Sequence, residues 1–178
     1  MANRRHTAAC VLLLAIVALA SCGPSEEPVM RASEGPGSET AIVESVTDGD
    51  TIRLEPDVRV RLVQVDAPET GDRAQCWGKE ATAALRTRLR AGDEVTIERD
   101  PKLDDVDQHG RELRYVEADG ELLNVWLVRE GHALPYFFRN QRGTHADELL
   151  EAARDARSAQ RGMWGACPGV ELDPGIGI

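Results

Sequence analysis

The chain has 178 residues, enough for one ordinary domain with appendages and too few for two full-sized ones. A hydrophobic share of 42% supports a packed interior and excludes wholesale disorder, while the chain's one long apolar run excludes a polytopic membrane protein. Thirty-one acidic against 21 basic residues leave a formal net charge of −10, which counts against a nucleic-acid binder that relies on a broad basic face.

The chain opens with Arg4 and Arg5 ahead of an unbroken apolar run from Val11 to Ala20, the pattern of an export signal. At about ten residues the run is too short to span a bilayer as a helix, which takes roughly twenty. The segment Leu19-Ala20-Ser21-Cys22 resembles a bacterial lipoprotein box, which implies removal of residues 1–21 and acylation of Cys22. Ordinary cleavage near Ala20 or Ser21, with Cys22 left free, is the other reading. The Gly23, Pro24 and acid-rich stretch that follows favours the anchor. The expectation is an exported chain, held by a lipid at the membrane on the cell surface or in the periplasm. Residues 22–40 read as a disordered tether, rich in Pro, Gly, Ser and Glu and without periodicity.

Three β-branched runs come next, Ala41 to Val46, Thr51 to Leu54 and Val58 to Val65, broken by Thr47-Asp48-Gly49-Asp50 and Glu55-Pro56-Asp57. Residues Cys76 to Arg90 carry Ala81, Ala84, Leu85 and Leu89 at helical spacing. Strands are predicted at Glu94 to Glu98 and Glu112 to Glu117, then a helix from about Leu122 to Glu130 that ends at Gly131. A third helix, with Thr144 as its N-cap, aligns Leu149, Ala152, Ala153, Ala156 and Met163 along one face. The order βββαββαα predicts a mixed α+β domain over 41–167: a five-stranded Greek-key β-barrel of the OB type with about three packed helices. Residues 168–178, with two prolines and three glycines, read as a flexible tail.

Of the four cysteines, Cys10 leaves with the signal and Cys22 takes the lipid, so Cys76 and Cys167 remain in an oxidising compartment. One bridge between them is expected; two buried thiols are the alternative. The histidines His6, His109, His132 and His145 show no zinc-ligand spacing.

Chemistry concentrates in three segments. Asp48-Gly49-Asp50-Thr51 places two carboxylates at a turn, and Arg61-Leu62-Val63-Gln64-Val65-Asp66-Ala67-Pro68-Glu69 runs an apolar strand into two acids. Asp107-Gln108-His109-Gly110-Arg111 presents an arginine beside a strand start. Hard carboxylate oxygens suit Ca²⁺ or Mg²⁺, and separated arginines suit a phosphate, so the set reads as phosphodiester cleavage. Arg61 falls in phase with Val63 and Val65, which demands a nearby anion if it is not to be a buried unpaired charge. Four aspartates between Asp100 and Asp107 form either a solvated turn or a further metal loop, with the turn preferred.

These segments, with Cys76-Trp77-Gly78-Lys79-Glu80-Ala81, Asn124-Val125-Trp126-Leu127-Val128-Arg129-Glu130-Gly131 and Arg161-Gly162-Met163-Trp164-Gly165, resemble the staphylococcal nuclease family over about 41–165. The resemblance implies a calcium-dependent OB-fold phosphodiesterase, a monomer, that cuts DNA and RNA to leave 3′-phosphate and 5′-hydroxyl ends. It implies Asp50, Asp66 and the backbone carbonyl of Ala67 as calcium ligands, with Asp48 behind them, and Glu69 as the base that activates water. Arg61 and Arg111 would hold the phosphate. Ala67 stands where the family often has threonine, and His109 where its best-known member has a tyrosine beside the nucleotide. Phe137 is a candidate to stack on a base, or else a plug for the barrel mouth. A non-catalytic nucleic-acid-binding or adhesion lipoprotein, and a phosphodiesterase for small nucleotides, are the rival readings; the carboxylates speak against the first, since they repel a phosphate backbone.

Overall fold

The computed structural model describes residues 37–175 and 177; the export signal, Cys22 and most of the expected tether lie outside the described residues. In chain order the elements are β1 (Ser38–Val46), β2 (Thr51–Leu54), β3 (Val58–Leu62), β4 (Val65–Asp66), α1 (Gly78–Arg88), β5 (Glu94–Glu98) and β6 (Glu112–Ala118). They continue with β7 (Glu121–Leu122), α2 (Leu123–Arg129), β8 (Leu134–Pro135), α3 (Ala146–Ser158) and α4 (Met163–Ala166). Strands pair in the order β3-β2-β1-β5-β6, and β3 returns onto β6 in parallel, Val60 opposite Glu112 and Leu62 opposite Arg114. That last pairing closes five strands into the OB-type barrel and leaves no long edge unpaired. No helix among the described residues is long and apolar enough to cross a membrane.

Alternation along the strands fills the barrel. Val43, Ile52, Leu54, Val60, Leu62 and Val116 are buried together with Leu85 of α1, Leu123 and Leu127 of α2, and Leu149 of α3. Each such side chain contributes roughly 1.5–3 kcal/mol through its removal from water. Cys76 and Cys167 form the expected bridge, with 5.9 Å between their Cα atoms.

Several boundaries differ from the sequence-based ones. β1 begins at Ser38 rather than Ala41, because Ser38 to Ile42 pair with Glu98 to Glu94 and draw polar residues into the ladder. The run from Val58 to Val65 is two strands, since Gln64 adopts a left-handed φ of 61°. Arg61 therefore does not share a face with Val63 and Val65. Its strand neighbours Val60 and Leu62 fill the barrel, and Arg61 projects from the opposite face of β3. β4 then pairs with β8, Val65 with Pro135 and Asp66 with Leu134, which fixes the strand end that carries Asp66.

Helix α3 starts after His145 without a side-chain cap, and Thr144 instead donates its backbone N–H to Asp100 Oδ2 at 2.5 Å. Met163 belongs to α4, where it packs with Leu134, Ala156 and Trp164 in a second cluster. The stretch after Asp100 is a largely exposed turn, as preferred, but Asp100 itself departs from that expectation. It is buried, accepts the N–H groups of Thr144 and Lys102, and lies 3.1 Å from the Tyr115 hydroxyl, which also meets Gln64 Oε1 at 3.2 Å. Burial pushes this carboxyl up, but those hydrogen bonds outweigh it and hold Asp100 below the usual carboxylate range. Gln64 also bonds the backbone of Gln141 and Gly143, so the network ties the loop before α3 to the barrel.

His132 accepts the Trp77 indole N–H on Nδ1 at 3.0 Å, and burial lowers its pKa below the ordinary histidine value. A neutral ring is therefore favoured by the fold, and the stability it contributes is present above pH ~6.5 and lost as the pH falls below it. His132→Gln keeps an acceptor but cannot titrate. Between pH 7 and pH 5 the parent should lose more thermal stability than His132→Gln; parallel Tm curves would contradict this.

Candidate active site

The site begins at the turn between β1 and β2. Gly49 has no room for a side chain: a Cβ there would lie 2.6 Å from Ala67 Cβ and 3.1 Å from Ala81 Cβ. Glycine lets the turn seat against Ala67 and α1, and in that position Asp50 Oδ2 accepts the Ala67 N–H at 2.8 Å. Asp48 stands behind it, its Oδ1 accepting the Asp50 N–H at 3.2 Å.

Arg61 joins the two candidate metal ligands. Its Nη1 lies 2.9 Å from Asp50 Oδ2 and its Nη2 2.8 Å from Asp66 Oδ1, while Nη1 also donates to the Val65 carbonyl at 2.6 Å. Arg61 thus finds the anions its position required. One guanidinium does not neutralise the pocket. Burial pushes the Asp50 carboxyl up, the charges of Asp48 and Asp66 add to the push, and Arg61 with the Ala67 N–H offset it only in part, so Asp50 is held well above the usual carboxylate range. The donor set is hard oxygen with negative charge left over, which fits a divalent cation of the calcium or magnesium type. Among the described residues no group of three or more His, Cys, Asp or Glu side chains is arranged to hold a metal. A cation here would rest on Asp50, Asp66 and the Ala67 carbonyl, and water would complete its shell.

Arg111 is held from two sides. Its Nε donates to Asp107 Oδ2 at 2.7 Å and its backbone N–H to Asp107 Oδ1 at 3.0 Å, while Nη1 reaches the Thr51 hydroxyl oxygen at 3.2 Å. Burial raises the Asp107 carboxyl, but the Arg111 N–H groups and the His109 N–H hold it below the usual carboxylate range. Thr51 in turn donates its hydroxyl to Asp50 Oδ1 at 3.1 Å. A single hydroxyl therefore links a candidate metal ligand to a candidate phosphate-binding cation. Thr51 and Asp107 lie within the predicted motifs, yet no sequence pattern revealed these contacts.

Arg61 and Arg111 both border a cleft of about 370 Å³, further lined by Val106, His109, Tyr136, Phe138 and Arg139. Asp50, Asp66 and Glu69 do not line it; Arg61 touches both the cleft and the Asp50–Asp66 pair, and Arg111 reaches Asp50 through Thr51, while Asp104 and Asp107 add acid to the cleft wall. Phe137 is not available to stack on a base: it is 5% exposed and packed in the main core, because its neighbours alternate and it takes the inward position. Phe138, half exposed, and Val106 supply the apolar surface of the cleft mouth. His109 lies on the rim, its carbonyl accepting from Arg59 at 2.7 Å. Glu69 is exposed on the loop after Pro68.

A sequence profile described as "Staphylococcal nuclease homologue" matches residues 59–166. The chain is 32% identical to a thermonuclease of Staphylococcus intermedius over 167 residues, which cover 89% of this chain and 96% of that protein. A thermonuclease of Staphylococcus hyicus is 29% identical over 88% of this chain and 92% of its own length. Endonuclease YhcR of Bacillus subtilis is 33% identical over 78% of this chain, which spans only 12% of that larger protein.

Because Thr51 bonds both Asp50 and Arg111, Thr51→Val should cost about 1–3 kcal/mol of stability by leaving buried charge without its hydroxyl partner, whereas Thr51→Ser should cost less than half as much. Urea denaturation midpoints check this, and equal losses would contradict the linking role.

Proposed function

The chain belongs to the staphylococcal nuclease family, and on that footing we propose that it is a calcium-dependent nuclease that hydrolyses DNA and RNA phosphodiesters. The observation that carries this reading is the placement of Arg61 and Arg111 on a cleft with an apolar mouth and in contact, directly or through Thr51, with an acidic pocket. A phosphate at the two guanidinium groups would set its neighbouring base into the cleft and its reacting face toward the carboxylates.

Arg61 and Arg111 bind the phosphate oxygens and oppose the negative charge that grows there in the transition state, a type of preorganised help worth several kcal/mol. To reach a phosphate, Arg61 relaxes its hold on Asp50 and Asp66. Calcium on Asp50, Asp66 and the Ala67 carbonyl would supply the positive charge that takes its place and draw in a phosphate oxygen. Glu69 takes the proton of an incoming water, whose oxygen bonds to phosphorus as the bond to the 5′-oxygen breaks. The 5′-oxygen takes up a proton from solvent water, leaving a 5′-hydroxyl and a 3′-phosphate, and Glu69 returns its own proton to solvent. Thr51 and Asp107 keep Arg111 aimed at this point.

We further propose, from the leader pattern, that the enzyme is exported and acts as a monomer tethered through a lipid on Cys22, on the cell surface or in the periplasm. An adhesion or binding role without catalysis is disfavoured by the acidic pocket, which such a surface has no use for.

Incubation of the purified protein with single- and double-stranded DNA and RNA, in Ca²⁺, Mg²⁺ or chelator, tests the proposal through end-group analysis. Cleavage to 3′-phosphates in Ca²⁺ and loss of activity in chelator are expected; no cleavage in any metal would refute it. Glu69→Gln and Arg111→Ala should each lower kcat by at least ~10²-fold with the fold intact. Phe138→Ala should raise KM several-fold by removing the apolar support at the cleft mouth, and an unchanged KM would move the base elsewhere.

A further inference from the structure

Glu69 lies on an exposed loop, outside any strand or helix, and yet a base works only when its carboxylate is held to a fraction of an ångström. The Glu69 backbone, from which that carboxylate projects, is held at two points. The Glu69 N–H donates to the side-chain oxygen Oε1 of Gln75 at 2.6 Å, and the Gln75 N–H donates back to the Glu69 carbonyl at 2.9 Å. This two-point clamp closes residues 69–75 into a small ring around the 3₁₀ turn Gly71–Arg73. Gly78, the first residue of α1, abuts the same carbonyl so closely that a Cβ there would stand 2.2 Å from it.

The clamp is itself anchored on its C-terminal side. Cys76, next to Gln75, is bridged to Cys167 at the end of α4, and Trp77 bonds His132 through its indole N–H. Gln75 is exposed, and its side chain accepts from the Glu69 backbone rather than packing into the core. We propose that Gln75, braced by the Cys76–Cys167 bridge, is a positioning residue that fixes Glu69 for catalysis. This deepens the nuclease reading and rests on Glu69 acting as its base.

The bridge is a brace as well as a staple. Closing a separation of 91 residues restricts the unfolded chain. In the folded chain the same bond fixes the residue adjoining the clamp to a second helix, so motion of the 69–75 ring is damped at one end by a covalent tie. The other end is held by β4, whose Asp66 precedes Glu69 by three residues. Metal ligand and base are thus carried on one short segment fixed on both sides.

The test is steady-state kinetics with DNA in saturating Ca²⁺ on the full chain. Gln75→Leu removes the acceptor while keeping similar bulk, and should lower kcat by ~10- to 100-fold with KM and the Ca²⁺ requirement within about twofold of the parent. Gln75→Glu, which can accept the same N–H, should recover most of the loss. In a Glu69→Gln background Gln75→Leu should have no further effect, since the group it positions is gone. The double replacement Cys76→Ser with Cys167→Ser should lower kcat in the same direction and be less than additive with Gln75→Leu. A parent-like kcat in Gln75→Leu, equal impairment in Gln75→Leu and Gln75→Glu, or an undiminished loss in the Glu69→Gln background would each overturn the positioning role while leaving the nuclease reading in place. A Glu69→Gln enzyme that turns over like the parent would overturn both.

Discussion

Two carboxylates forced together in a poorly solvated pocket repel, and the arrangement persists only because a cation lies across them. Arg61 is that cation, within 2.9 Å of Asp50 and 2.8 Å of Asp66. Much of the local architecture follows from the need to bring these three groups to one point. β3 must end at Leu62 so that Arg61 leaves the barrel while Val60 and Leu62 stay inside, and the left-handed Gln64 must redirect the chain so that Asp66 comes back alongside. The β1–β2 turn must press against Ala67, which a side chain at position 49 would prevent. Even so, burial above all, with the neighbouring Asp48 and Asp66, holds the Asp50 carboxyl above the usual carboxylate range, and one guanidinium offsets this only in part. A pocket that is short of positive charge, next to two arginines that face a cleft, is the arrangement on which the proposed cation and phosphate roles rest.

The barrel was legible in the sequence because its strands alternate and its turns carry Gly, Asp and Pro, and the site motifs were legible because they cluster near strand ends. What was not legible has a common physical origin. The break at Gln64 depends on tertiary hydrogen bonds to Gln141 and Gly143, some eighty residues on, and no local periodicity encodes it. The same is true of Thr51 as the link between Asp50 and Arg111, and of Gln75 as the partner of the Glu69 backbone. Phe137 and Phe138 are neighbours of one chemical type, and only the packing decides that the first is core and the second faces the cleft. Met163 continues the helical spacing of α3 in the sequence, yet the chain turns at Gly162 and gives it to another helix.

The net charge of −10 takes on a local meaning in this setting. Part of the acid lies in the expected tether and tail, and part is the pocket of Asp48, Asp50 and Asp66, which a divalent ion would partly neutralise. Arg61, Arg111 and Arg139 come together around the cleft, where a phosphate would sit, with Asp104 and Asp107 beside them. An enzyme that releases its product has no need of a broad basic face. The proposed contact with nucleic acid is correspondingly short-ranged and salt-sensitive, and depends on the cation more than on long-range attraction.

Calorimetric titration of Ca²⁺ into the nucleic-acid-free protein tests most directly whether the pocket bridged by Arg61 is a cation site. Saturable binding of one ion in the parent, lost in both Asp50→Asn and Asp66→Asn while each variant remains folded, is the predicted result. Binding of equal strength in the parent and both variants, or none in the parent, would contradict it.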